Sequence, residues 1–258
     1  MAPPQDDPVE LIAHAINEQQ GEMKRRRKRS VLSLEYFVAG VPPFQLFKLY
    51  VEDLEKLLKK STGEPPLDHL AEICLIGLAA YCEAFFKDLF AAMINICPQL
   101  LEGFVLRRDC TFTLAEVLHL VEGSKHRIGS VLSEHYDWGS AQSVNGLFFD
   151  LLKVSPFSKD EAKKYAEFLR DRNLLVHHGG VYTFKYAGQK FSKQLLKRMA
   201  HWQSLTVRKG DVLRWSKFFH DIAKKTSSAT HTALGVFVNN SSVRLGKERE
   251  SALKLLAP

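Results

Sequence analysis

Apolar positions recur three and four residues apart along most of the chain, and that period predicts a succession of amphipathic helices. The first clear one spans 44–60, with Leu46, Leu49, Tyr50, Leu54, Leu57 and Leu58 as its apolar stripe and lysines and glutamates opposite. Residues 67–96 predict the longest helix, stopped by Pro98. Between 73 and 86 it is apolar nearly all round, which places it at the centre of a bundle. Thr113 and Glu116 have the spacing of a capping box and open a helix through His119 and Val121. Spans 125–135 and 140–154 predict two more, the second carrying Val144, Leu147, Phe148, Leu151 and Leu152. Ser158 with Glu161 is another capping box, and the helix it opens runs through Tyr165, Phe168, Leu169, Leu175 and Val176. Gly179-Gly180 stops it, since glycine tolerates the left-handed turn that ends a helix.

Beyond Gly180 the period changes. Residues 181–186 alternate and are β-rich, and 204–210 is a second candidate strand, so a small hairpin is expected after the 158–178 helix. A basic helix over 190–203 lies between the two. Asp211 is read as the cap of a helix running to about 225 through Val212, Leu213, Trp215, Phe218, Phe219 and Ile222. The stretch from 227 shows no clear pattern until a short helix over 248–256. At the other end, 1–8 is expected to lack structure, 9–20 fits a short amphipathic helix, and 31–41 fits either a strand or a short helix. The fold class is therefore all-α, a helical bundle with a small appended hairpin. Its parts are an N-terminal segment (1–40), a helical domain (41–235) and a C-terminal tail (236–258).

Of the 258 residues, 45% are hydrophobic and 25% charged, the balance of an ordinary globular protein that buries a sizeable core. The formal charge of +7 favours a polyanionic partner. The cations are not spread evenly: Lys24, Arg25, Arg26, Arg27, Lys28 and Arg29 are consecutive. Such a run repels itself unless phosphates neutralise it. It reads as a solvated linker, an RNA-contacting arm or a nuclear-targeting signal. The four cysteines, Cys74, Cys82, Cys97 and Cys110, form no C-x-x-C pair, and three fall within or just after the 67–96 helix, where thiols act as small hydrophobes. A reducing, cytoplasmic setting is the simplest expectation. No secretory leader is visible, and the longest apolar run, 73–86, is shorter than a bilayer span.

Two charges are stranded on apolar faces. Glu83 is the only formal charge between Glu72 and Lys87. Arg172 sits at helical spacing between Phe168/Leu169 and Leu175/Val176. A guanidinium keeps its charge and a buried carboxylate needs a cation, so the two are expected to meet. His177 follows Arg172 by five residues, about 140° round the helix. The two diverge on a regular helix and converge only where the helix ends or where a second chain brings its own copy. Asn173 lies one turn before His177 and can orient the imidazole. His178, next in the chain, is an alternative second acid, although its adjacent position is expected to point it elsewhere.

Arg172-Asn173-x-x-x-His177, followed by Gly179-Gly180, resembles the R-x4-H signature of the HEPN superfamily, and in detail its RiboL-PSP-HEPN branch. The resemblance implies a dimeric helical bundle (41–235) and, in many members, a metal-independent endoribonuclease of toxin or antiviral defence systems. It gives His177 the part of general acid or base and Arg172 that of phosphate ligand. Glu83 fixes the arginine, and Asn173 positions the histidine. The expected products are a 2′,3′-cyclic phosphate and a 5′-hydroxyl. The expected partners are RNA, a second copy and an inhibitory or regulatory protein, with no metal or cofactor and no membrane. Some members are non-catalytic modules that bind RNA, nucleotide or protein, which is the alternative. Toxins paired with nucleotidyltransferase antitoxins often carry a tyrosine two residues after the histidine. Here that position is Gly179, which puts this pairing in doubt. The chain lacks G-x-x-x-x-G-K-[ST], G-x-S-x-G, H-E-x-x-H and G-x-G-x-x-G, so P-loop, serine-hydrolase, zincin and dinucleotide chemistries have no motif here.

Overall fold

The most apolar stretch of the sequence becomes the centre of the fold. The computed structural model describes residues 33–60, 69–122, 127–191, 204–241 and 243–258. In chain order its helices are α1 (Pro43–Lys59), α2 (His69–Ile96), α3 (Leu100–Phe104), α4 (Leu114–Glu122) and α5 (Ile128–Ser133). They continue with α6 (Ala141–Leu152), α7 (Lys159–His178), α8 (Phe184–Lys190), α9 (Lys209–Asn240) and α10 (Lys247–Leu255). The architecture is all-α. Helices α1, α5, α7, α9 and α10 all pack on α2. From Leu89 to Ile96 every residue of α2 is buried, so this half of the helix is surrounded by protein.

Close approach to α2 is set by small groups. Gly129, in the first turn of α5, lies so near to α2 that an added Cβ would be 2.2 Å from the Ala91 carbonyl oxygen. Asn95, buried on α2, accepts from the Gly129 amide at 2.8 Å. Its own amide donates to the Tyr36 carbonyl at 3.1 Å and to Ser130 Oγ at 3.3 Å. A buried amide satisfied on both sides tolerates the apolar core and fixes α5 and the 33–40 turn against it.

Several expectations are corrected. The buried stripe of α1 is Phe44, Phe47, Val51, Leu54 and Leu58, while Leu49, Tyr50 and Leu57 are exposed. Alternating steps of three and four place the phenylalanines and Val51 inward, so the leucine-led stripe was rotated. Among the described residues the longest helix is α9, with 32 residues against 28 for α2. It begins before Asp211, whose carboxylate accepts from the Arg208 amide at 3.0 Å from inside the first turn, and residue 235 lies within it. The hairpin is absent among the described residues. Thr183 Oγ1 accepts from the Tyr186 amide at 3.1 Å and starts α8, which overrides the β-rich alternation. Only an antiparallel bridge, Val181 with Ser204, remains of it. The expected helix over 9–20 and most of the basic helix over 190–203 lie outside the described residues.

The remaining elements agree. Thr113 and Glu116 exchange their two capping bonds at 2.6 and 3.3 Å. Helix α6 buries Val144, Leu147, Phe148 and Leu151 behind the Ser140 cap. Among the described residues no helix is long and apolar enough to cross a membrane.

Candidate functional site

Helix α7 carries the site, and both its ends are fixed by local chemistry. Ser158 Oγ accepts from the Glu161 amide at 3.4 Å, and Glu161 accepts from the Ser158 amide at 2.7 Å. Lys225 of α9 donates to the same glutamate at 2.6 Å, tying the start of α7 to the long helix. Gly179 ends α7 at φ 55°, a left-handed conformation that suits glycine. Tyr165, Phe168, Leu174 and Leu175 are buried, and Tyr165 stacks on Phe157 with ring centroids 4.9 Å apart.

Arg172 and Glu83 meet. The guanidinium Nη2 donates to Glu83 Oε1 at 2.5 Å, linking α7 to α2 across 89 positions of sequence. Their side chains keep 24% and 28% of their exposure, so the pair sits at the wall of the bundle and still touches water. Arg172 Nη1 also donates to Asn173 Oδ1 at 3.0 Å. Asn173 was expected to orient His177. Its side-chain oxygen instead accepts from the terminal nitrogen of the arginine that Glu83 does not hold.

His177 is exposed and lies on a different face. It lines a groove of about 340 Å³ with Arg170, Asn173, Leu174, His178, Thr183, Lys185, Tyr186 and Gln189. Arg172 is not among these lining residues. Helix α7 stays regular through His178, so its end does not swing the two motif residues together. His178, expected to face elsewhere, borders the same groove as His177. The sequence reading also missed Arg170, seven residues before His177. Seven residues is almost two helical turns, which is the signal that could have found it.

One flank of the groove is neutralised internally. Tyr186 donates from its hydroxyl to Asp171 Oδ1 at 2.6 Å, and Lys190 Nζ lies 3.0 Å from the same carboxylate oxygen and 2.6 Å from the phenol oxygen. Burial, then the Asp171 carboxylate, pushes the Tyr186 phenol far up, so it stays protonated as a donor. Among the described residues no group of three or more His, Cys, Asp or Glu side chains is placed to hold a metal ion. The run Lys24 to Arg29 lies outside the described residues.

Fold and site together define an all-α protein whose helix α7 holds a clamped arginine on one face and a histidine-lined groove on another. The chain matches no protein-family model, no curated protein and no solved structure.

Proposed function

We propose that the protein is a metal-independent endoribonuclease of HEPN type, acting as a homodimer in a toxin or antiviral defence role. The observation that carries this reading is the Arg172–Glu83 pair, together with Asn173 on the same guanidinium. A planar cation gripped on two sides is held in one rotamer, as a ligand for a phosphoryl group needs. His177, exposed five residues on, is free to exchange protons with substrate.

In the proposed reaction His177 takes the 2′-hydroxyl proton as O2′ attacks phosphorus. The P–O5′ bond breaks, and the leaving 5′-oxygen takes a proton from the second imidazole of the dimer. The products are a 2′,3′-cyclic phosphate and a 5′-hydroxyl. Arg172 stabilises the added charge of the five-coordinate phosphorus. Because Arg172 and His177 diverge within one chain, a twofold arrangement of two α7 helices is what lets one copy's arginine serve the other's histidine. Exposed Val176, Val181 and Phe184 at that end of α7 supply apolar surface for the contact. The run Lys24 to Arg29 is proposed as an arm on RNA phosphates, and a regulatory protein partner restrains the enzyme.

The divergence of the same two residues favours a second reading, a non-catalytic module that binds RNA, nucleotide or protein. Incubation of the purified protein with total cellular RNA and a chelator separates the two. Fragments ending in 2′,3′-cyclic phosphate are expected. Retained RNA with no such ends would replace the nuclease by the module.

A further inference from the structure

Arg170 is half-buried at the wall of the groove, and among the described residues no carboxylate lies within salt-bridge distance of it. Arg172, two positions on, has Glu83 at 2.5 Å. The adjacent acid, Asp171, is taken up by Lys190 and Tyr186. Glu167, Asp171 and Asp211 share a second cavity with Arg170, on its other side from His177, without pairing with it. A guanidinium cannot shed its proton, so one held partly out of water with no acid in contact keeps donors to offer an anion. Of the two cavities it lines, the one shared with His177 is rich in donors: two imidazoles, Lys185, the Asn173 amide and the Thr183 hydroxyl. No carboxylate is among its described lining residues. A phosphodiester presents only acceptors and one negative charge. The groove volume is at the small end of the roughly 300–1,000 Å³ typical of ligand sites.

We propose that this groove binds a phosphate of the RNA chain, with Arg170 as its anchoring cation on the same subunit that supplies His177. The assignment to RNA rests on the nuclease reading; phosphate binding itself does not. Arg170 is the anchor rather than Lys185, because its planar fork is preorganised by partial burial while the lysine is exposed on a flexible stem. The cation sharing a face with His177 is thus distinct from the arginine of the motif.

The test follows histidine side-chain resonances of the full-length protein during titration with inorganic phosphate, and then with a 2′-O-methyl oligouridine that cannot be cleaved. The His177 and His178 signals should move with both probes, more steeply with the oligonucleotide. Arg170→Ala should weaken both probes roughly ten- to a hundredfold. Arg170→Lys should recover part of the loss. Lys164→Ala, which removes a cation from the same helix outside the groove, should change little. Thermal unfolding of Arg170→Ala close to that of the parent is expected, since no ion pair is broken. The proposal is overturned if neither imidazole responds to phosphate, or if Arg170→Ala loses no more affinity than Lys164→Ala. A response to phosphate but none to the oligonucleotide overturns the RNA assignment. Binding of both probes by a protein that cuts no RNA supports the groove and removes the nuclease reading. RNA cleavage at parental rate by Arg170→Ala does the reverse.

Discussion

Arg172 Nη2 lies 2.5 Å from Glu83 Oε1, so the two charges left stranded by the hydrophobic pattern neutralise each other across the contact between α7 and α2. Breaking that pair leaves one charge without its partner at a partly dry wall. A fully buried pair broken this way costs about 3–5 kcal/mol, and an exposed one almost nothing. With both side chains about a quarter exposed, Arg172→Ala should cost roughly 1–3 kcal/mol, between those limits. Glu83→Gln combined with Arg172→Ala should cost less than the sum of the two single changes. Urea unfolding of the four proteins measures the coupling, and additive losses would mean that the contact carries no stability.

Asp88, on α2, gives a pH signature. Burial, partly offset by the Lys87 charge, raises its carboxyl from the usual 3.8 to about 6. The folded state therefore holds this proton more tightly than the unfolded chain. Its contribution is fully present below about pH 4 and is lost as the pH rises through about 6. Asp88→Asn should abolish that loss, so the stability of the variant relative to the parent should rise between pH 4 and 7. A difference that stays flat over this range would exclude a perturbed carboxyl.

How much of this was legible follows from which signals were local. The bounds of α7 were readable because Ser158, Glu161 and Gly179 each act on neighbouring backbone. The Glu83–Arg172 contact was readable because each charge had an apolar surround and the opposite sign. The length of α9 was not, because its serine- and threonine-rich stretch looks like a loop. In the structure Thr226 and Thr230 turn their hydroxyls back to the Ile222 and Thr226 carbonyls, at 2.7 and 2.8 Å, and so sit buried within a helix. The stripe of α1 was ambiguous because Leu46, Leu49, Tyr50 and Leu57 also recur at helical spacing, beside the buried Phe44, Phe47 and Val51. Arg170 was not legible because a charge about two helical turns before a histidine is common on exposed helix faces, and only the groove formed with α8 brings the two together.

Phe184 is 92% exposed just beyond the motif helix, with Val176 and Val181 exposed nearby. If a second copy covers this surface, Phe184→Asp should convert a dimer to a monomer in light scattering at micromolar concentration. The fold should be untouched, since the side chain packs against little. Cleavage should fall with dimerisation, because one copy's Arg172 then no longer reaches the other's His177. A parent protein that is already monomeric, with and without RNA, would remove the shared site.

His177→Ala offers the sharpest separation of chemistry from binding. The imidazole is exposed and makes no hydrogen bond to a described side chain, so its removal should leave stability almost unchanged. As general acid or base it should contribute about 10²–10⁴-fold to the rate, with RNA affinity nearly retained. Arg172→Ala should lower both, since it removes a phosphate contact and frees the Glu83 carboxylate. Arg172→Lys should restore stability more than rate, because lysine keeps the charge but not the planar fork that meets Glu83 and a phosphate together. The measurement is single-turnover cleavage of a labelled RNA with chelator present, alongside filter binding of the same RNA. A rate unaffected by His177→Ala sinks the acid–base assignment, whatever the affinity does.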